Sequence, residues 1–478
     1  MTLSPSLVRQ LRRAVGAEHV DTGLAETQLF ASDGLTLHQA RPAGVVYPTS
    51  TAEVAAVVAA CLAADTPFVA RGAGTGLSGG AISDGGVIIQ LSRMNQVLDI
   101  RPEDRYAVVQ PGVVNSYLSL QTRPYGLEFA PDPSSQAACT IGGNVAENAG
   151  GPHTLKQGVT VNHVLGQKVV LATGRVASFG GPWHAATGPA FGSFLVGSEG
   201  TIAITTEVTV RLVPTPAHVI TMLATYEAVG GATDSVSAIL AAGILPAALE
   251  FIDKLCIQAV EAHLKVGFPT SAAAVLLIEL DGDKALNSGQ AVTVEALCRD
   301  NGASDFRRAR SAEERQRLWL GRKHAAGAIG KISPAYYTND GVVPRSRLTD
   351  ILTQIYRIGK NYRLQVGNIC HAGDGNIHPV ILFDPDTADG ADRAFACSAD
   401  ILTACLEMGG SLTGEHGIGL EKRDLMPRMY TPADLEQMRR LRDGLNPAGL
   451  LNPCKVLPEG ARCGEVRGQA TLPEGTWI

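Results

Sequence analysis

Hydrophobic and polar positions in the first half of the chain follow two alternating periods. Val45-Val46-Tyr47-Pro48 reads as a short apolar strand. Ser50-x-x-Glu53 then fits a capping box, opening a helix whose apolar positions Val54, Val57, Val58, Cys61 and Leu62 keep helical spacing. Pro67 to Arg71 restarts a strand, and Val87 to Leu91 reads as another. A further strand continues from Ile202-Ala203-Ile204 through Thr206 to Leu212. After Pro214-Thr215-Pro216 the pattern changes: it predicts helices over Gly230 to Ala242 and Ala247 to Val266, then an apolar strand from Ala273 to Leu280. A domain boundary is placed there, and 478 residues at about 150 per domain fit two to three domains.

The strand ending at Arg71 runs directly into Gly72-Ala73-Gly74-Thr75-Gly76-Leu77-Ser78-Gly79-Gly80. Gly74, Gly76 and Gly79 match G-x-G-x-x-G, a pattern that binds a dinucleotide only when a helix follows at once. Here Ala81 to Gly86 and a strand follow, so a Rossmann unit is excluded. Two readings remain: a nest of unhindered backbone N–H groups around phosphate, or a structural turn. A second cluster, Ala130 to Ser135 and then Cys139 to Gly151, favours the ligand reading, because two dense glycine loops imply one extended ligand. A third segment runs Val196-Gly197-Ser198-Glu199-Gly200-Thr201-Ile202.

Composition sharpens this picture in three places. The 53 glycines are about 11% of the chain, against an average of about 7%. Lys+Arg 40 against Asp+Glu 46 gives net charge -6, with no basic run to track a phosphate backbone, which argues against nucleic acid as a partner. The apolar run Val54 to Ala64 is too short for a span of about 20 residues, and the N-terminus has no charged leader with an apolar core. A cytoplasmic protein is expected. Nine cysteines without a C-x-x-C fit reduced thiols and place any iron–sulfur cluster on a partner.

The second half carries a different chemistry in Val366-Gly367-Asn368-Ile369-Cys370-His371-Ala372-Gly373-Asp374-Gly375-Asn376-Ile377-His378-Pro379. Residues seven apart on one strand face opposite sides, but a turn at Gly373 to Asn376 lets the two histidines converge. A His pair alone is more often structural than metal-ligating. Gly409-Gly410-Ser411-Leu412-Thr413-Gly414-Glu415-His416-Gly417-Ile418-Gly419 reads as a site loop, since flanking glycines disfavour a helix. His371, His378 and Glu415 make a plausible three-ligand set for a catalytic divalent ion, with imidazole favouring zinc or a similar metal, and His416 remains as a base. The plainer alternative is that Glu415 and His416 only hydrogen-bond each other.

The three glycine segments, in this order, resemble the PCMH-type FAD-binding domain of the vanillyl alcohol oxidase superfamily over roughly Arg41 to Pro214. The resemblance implies that Arg71, Gly72, Ala73, Gly74, Thr75, Gly76, Leu77 and Ser78 meet the FAD pyrophosphate. Pro131, Asp132, Ser134, Thr140, Gly142, Gly143, Asn144, Asn148, Gly150 and Gly151 would run along the flavin and ribityl chain, with Ile202 near the adenine end and Glu199 also among the cofactor contacts. Covalent members often carry a His where this chain has Thr75, so FAD is expected to be non-covalent.

The runs H-A-G-D-G-N-I-H-P and S-L-T-G-E-H-G-I-G-L-E-K resemble the FAD-linked oxidase C-terminal domain of the D-2-hydroxy-acid dehydrogenase family, in particular the FAD-binding catalytic subunit of bacterial glycolate oxidase. The likeness extends to Leu451-Asn452-Pro453-Cys454-Lys455, where Asn452 would return to the flavin. It implies an α+β fold in four parts: an N-terminal helical segment (1–40) packing on the FAD domain, the FAD domain (41–216), a substrate or cap domain with the metal site (217–425) and a returning C-terminal segment (426–478). It also implies His371, His378 and Glu415 as metal ligands, His416 as base and Arg322 as the clamp on a substrate carboxylate. The activity implied is oxidation of a small 2-hydroxy acid, glycolate or D-lactate. A D-2-hydroxyglutarate enzyme is the alternative, disfavoured because Thr338 stands near where those enzymes place a Lys. A flavin-free metallohydrolase would leave the glycine loops unexplained, and a non-catalytic FAD-binding subunit would not need the second-half motifs. Electrons would pass to a second flavin-like subunit and an iron–sulfur subunit at the inner membrane face.

Overall fold

The computed structural model describes residues 2–182 and 189–458. The end of the expected C-terminal segment, 459–478, lies outside them. The chain opens with a helix, Pro5–Val15, capped by the Ser4 hydroxyl, which accepts the Leu7 N–H, and stopped at Gly16 with φ 93°. Leu7, Leu11 and Val15 recur every fourth residue, so they form one stripe, which packs on Val54, Val57, Val58 and Cys61 of the helix Thr51–Ala63. That second helix begins as its sequence requires, with Ser50 Oγ accepting the Glu53 N–H at 3.2 Å. The Glu53 carboxylate reaches back to the Thr49 N–H at 2.7 Å.

Two sheets build the first half. One has the order Val20–Asp21, Gly44–Val46, Val87–Gln90, Phe68–Arg71, and its last two pairings are parallel. The parallel strands Phe68–Arg71 and Val87–Gln90 are joined by the glycine segment as a loop, with no helix between them. The other sheet is antiparallel, in the order Val97–Arg101, Tyr106–Val109, Ala203–Arg211, Val164–Leu171, Val176–Gly180. The chain returns to this half near its C-terminus, where Phe68 and Leu451 bridge in parallel and Asn452 N–H donates to Phe68 O at 2.8 Å.

The second half is one antiparallel sheet of eight strands. Its order is Ala303–Arg308, Val219–Tyr226, Ala274–Asp281, Ala248–Asp253, Gln365–His371, Asn376–Phe383, Ala335–Thr338, with Gly341–Val342 also pairing on Asn376–Phe383. One face is sealed by the helices Val229–Ala241, Lys284–Asp300, Leu348–Asn361 and Gly390–Glu407. Leu348, Ile351, Leu352, Ile355 and Ile358 show why the third of these helices docks there: their spacing is that of a single buried stripe. The opposite face carries Ala248, Ile252, Val275, Leu277, Ile369 and Val380 under the helices Lys254–Leu264, Ala312–Lys323 and Ala325–Ile329. Side chains alternate along a strand, so Glu250, Glu279, His371 and His378 share this second face.

One expectation is corrected. The run Ala247 to Val266 is not one helix: Ala248–Asp253 is a central strand and only Lys254–Leu264 is helical. A short apolar run has no helix-or-strand preference that outweighs burial on both faces of a sheet, and Asp253 supplies the cap that starts the helix, accepting the Cys256 N–H at 3.1 Å. Among the described residues, Cys61, Cys139, Cys256, Cys298, Cys370, Cys397 and Cys405 are free and buried.

Candidate active site

The turn from Ala372 to Gly375 reverses the chain between His371 and His378, and the register pairs His371 with Asn376 and Ile369 with His378. The two imidazoles therefore stand side by side, ring centroids 5.1 Å apart and nearly perpendicular at 87°. Glu415 arrives from the Ser411–Gly419 loop and places Oε1 3.4 Å from Nε2 of both His371 and His378. Their ligand atoms lie within 4.8 Å of one another. Two imidazoles and a carboxylate converging in this way make a donor set that could hold a divalent cation. His416 stacks on His378 at 5.0 Å and 20°, and the Nδ1 atoms of both rings are buried without a hydrogen-bond partner.

Electrostatics reinforce this grouping. Burial alone would raise the Glu415 carboxyl, but hydrogen bonds from His371 and His378 hold it well below the usual range. Burial depresses His371, yet the Glu250 carboxylate, at 2.9 Å from Nδ1, and Glu415 hold it up at about 10. His416 is pulled down to about 4, mainly by burial, with Asp340 opposing and His378 and Lys422 adding to the fall. At neutral pH it is therefore a neutral imidazole, able to accept a proton.

Asp340 holds the loop in place and was not singled out from the sequence. It is fully buried; Oδ2 accepts from Thr413 Oγ1 at 2.5 Å and from the N–H groups of Gly414 and His416 at 3.0 Å, while Oδ1 accepts from Asn376 Nδ2 at 2.7 Å. The fully buried Lys422 balances its charge at 3.2 Å. Removing either partner of such a pair leaves an uncompensated charge, typically costing about 3–5 kcal/mol. Glu250 was missed as well. Its signal is a carboxylate inside an apolar strand, Ala248-Leu249-Glu250-Phe251-Ile252, which burial tolerates only with a strong partner. Arg322 is 4% exposed and gives Nη2 to Glu250 at 2.5 Å, while its Nε is buried with no partner.

The glycine loops form a cradle beside this cluster. Among the described residues, the N–H groups of Ala73, Gly74, Thr75 and Gly76 donate to no backbone carbonyl, and a β-carbon on Gly76 would meet nothing within 4 Å. Gly72 lies so near the start of the helix Ile141–Glu147 that a β-carbon would stand 2.3 Å from Thr140 Oγ1. Gly142 is equally tight, 2.5 Å from Pro111, whereas Gly143 is nearly clear. A run of N–H groups without backbone acceptors, following a glycine that packs on a glycine-opened helix start, suits a diphosphate. Ala73 and Ser134 are exposed; Thr75 and Leu77 are half-buried.

Several residues expected along the cofactor also make contacts within the protein. Arg71 donates to Ser32 O at 2.8 Å. Asn144 accepts from Asn115 Nδ2 at 2.9 Å, and Asn148 accepts the Val161 N–H at 2.9 Å. Pro131 O accepts from Asn115 Nδ2, Asp132 pairs with His153 Nδ1 at 2.9 Å, and Ile202 packs with Val169 and Leu195. Asn452 Nδ2 donates to Glu199 O at 2.7 Å and Gly80 O at 3.1 Å. Glu199 accepts the N–H groups of Ile418 and Gly419, each at 2.7 Å, and so fastens the Ser411–Gly419 loop to the first half. A β-carbon on Gly150 would lie 3.2 Å from Glu415 Oε2, and one on Gly151 2.5 Å from Asp132 O, so the second glycine loop passes directly beside the His/Glu cluster.

Residues 42–180 match the FAD binding domain model and residues 215–456 match the model for FAD linked oxidases, C-terminal domain. The glycolate oxidase subunit GlcD of Escherichia coli strain K12 is 43% identical over 91% of this chain and 88% of its own. A protein named as a probable mitochondrial D-lactate dehydrogenase of Danio rerio is 35% identical over 94% of this chain and 91% of its own. Among solved structures, 4-ethylphenol oxidase from Gulosibacter chungangensis superposes with a TM-score of 0.76 at 18% identity, covering 95% of this chain and 97% of its own, a likeness of fold alone. The chain thus belongs to the FAD-linked oxidase family, joining a PCMH-type FAD-binding domain to an FAD-linked oxidase C-terminal domain.

Proposed function

We propose that this FAD-dependent oxidoreductase oxidises a small 2-hydroxy acid, glycolate or D-lactate, to the 2-oxo acid, and that a divalent cation, zinc by its donor set, sits between His371, His378 and Glu415. The reading is carried by one observation: Glu415, bridging the two imidazoles at 3.4 Å, lies against Gly150 of the second glycine loop. Bound along the glycine loops, FAD would supply a hydride acceptor for the substrate's hydroxyl-bearing carbon, and a cation held by His371, His378 and Glu415 would supply Lewis acidity toward the substrate hydroxyl.

The chain's own residues supply the rest. The glycine cradle from Gly72 to Gly76 and the start of the helix Ile141–Glu147 hold the diphosphate. Arg322 presents a buried, unpartnered Nε–H to the substrate carboxylate, a donor that costs free energy until it is met. His416, neutral at the working pH, accepts the hydroxyl proton. Asp340 fixes the backbone of His416 and so its reach. Thr338, at the end of the strand Ala335–Thr338, offers no charge for a second carboxylate, in keeping with a monocarboxylate substrate.

The test is anaerobic reduction of the bound flavin by a panel of 2-hydroxy acids, with and without chelator. Glycolate or D-lactate should bleach the flavin rapidly and chelator should suppress it; bleaching that ignores chelator removes the cation from the reading. Among the described residues no helix is long and apolar enough to cross a membrane. Electrons are proposed to leave through partner subunits, a second flavin-like chain and an iron–sulfur chain at the inner membrane face. Dye should then accept electrons much faster than oxygen; equal rates with stoichiometric peroxide would overturn the partner proposal.

A further inference from the structure

We propose that Glu250 is a positioning residue for His371: it fixes the tautomer and orientation of the imidazole that faces the cation, with Arg322 as its counter-charge. The inference rests on the cation reading of His371, His378 and Glu415 given above. Glu250 lies directly opposite His371 in the antiparallel pairing of Ala248–Asp253 with Gln365–His371, so their side chains leave the same face of the sheet. It is fully buried, and both of its carboxylate oxygens stand 2.9 Å from His371 Nδ1. Arg322 Nη2 lies 2.5 Å from Oε2 of the same carboxylate and 3.2 Å from His371 Nδ1.

A guanidinium has only donors, so among these neighbours the acceptor for Nδ1–H is Glu250. With a cation bound, Glu250 would therefore hold the ring's one proton on Nδ1 and leave the lone pair on Nε2. That is the nitrogen 3.4 Å from Glu415 Oε1, on the side of the ring where His378 Nε2 also converges. The carboxylate–imidazole pairing orients a ligating ring and raises its basicity. His378 has no comparable partner: its Nδ1 is unbonded, with Asp340 Oδ1 3.9 Å away. Of the two imidazoles, only His371 is locked, and the lock comes from a residue distant in sequence. Arg322 prevents Glu250 from being a lone buried charge beside the site.

The experiment uses the full-length, FAD-loaded protein and reads zinc retained after dialysis against graded chelator, with flavin absorbance reporting the fold. Glu250→Gln should weaken zinc retention about 10- to 100-fold while keeping the flavin spectrum. Because Glu250→Gln leaves Arg322 without its counter-charge, the double variant Glu250→Gln/Arg322→Met, which removes both charges, is measured in parallel and should show the same loss. A flavin-loaded variant that retains zinc like the wild type overturns the proposal, since a purely structural ion pair would change stability alone. A wild-type protein that retains no zinc overturns the cation reading itself, and this proposal with it. A second measurement needs no variant: in histidine-¹⁵N-labelled, zinc-loaded wild type, the His371 resonance should report a protonated Nδ1, and an Nε2-protonated ring at that position would overturn the lock.

Discussion

Glu415 is packed against Gly150: a β-carbon on the glycine would stand 3.2 Å from Glu415 Oε2 and 2.6 Å from Thr154 Oγ1. The absence of a side chain at this position lets the cofactor cradle and the His/Glu cluster share one wall. Gly150→Ala should cost about 1–3 kcal/mol of stability, the usual size of an overpacking penalty, and should slow flavin reduction by displacing Glu415. Thermal unfolding and anaerobic stopped-flow measure the two effects; an alanine variant matching the wild type in both would show that the wall has room to give.

The two histidines should be separable from flavin binding. His371→Ala or His378→Ala is expected to abolish bound metal and turnover while the flavin spectrum stays, because the glycine cradle contains neither residue. Metal content and absorbance on the same sample decide this, and full metal occupancy in both variants would dismiss them as ligands.

His416→Ala should leave metal and FAD in place and slow flavin reduction by roughly two to four powers of ten, the size of a general-base contribution. Rapid-mixing kinetics at saturating substrate give the number. An unchanged rate would move the proton acceptor to another group.

By the family resemblance, Thr75 stands where covalent members often carry a linking histidine, so acid precipitation should leave the yellow colour in the supernatant. Colour retained in the pellet would mean a covalent bond formed elsewhere in the cradle.

Glu279 sets an acid limit on stability. It is buried on the same sheet face and accepts from Trp319 Nε1 at 2.7 Å, Thr221 Oγ1 at 2.5 Å and two nitrogens of Arg315 at 2.9 and 3.0 Å, with His153 at 3.5 Å. Burial would raise its pKa, but His153 and Arg315 outweigh that and hold it at about 2. A carboxyl depressed in the folded state stabilises fully above its unfolded value, and the contribution disappears as pH falls from about 4.5 to about 2. The loss should be on the order of 3 kcal/mol, and Glu279→Gln should flatten that limb while lowering stability at pH 7. Denaturant melts at pH 7, 4 and 2.5 measure it; identical acid limbs in variant and wild type would refute the assignment.

The sequence by itself determined what depends on neighbours along the chain. Ser50 and Glu53 cap a helix because the groups they satisfy are three or four residues away. The glycine run after Arg71 could not open a dinucleotide-binding helix because no helix-forming residues follow it. The Gly373–Asn376 segment made convergence of His371 and His378 legible, because a tight turn fixes strand pairing within a few residues. Only the tertiary structure decided which buried charges face one another. Ala248–Asp253 became a strand because both faces of the sheet were available to bury it, and that brought Glu250 opposite His371. Asp340 and Lys422 found each other inside the protein, and Glu199 spent its carboxylate on Ile418 and Gly419. A charged group taken out of water must be matched by whatever the fold places within about 3 Å, and no local pattern in the chain encodes that match.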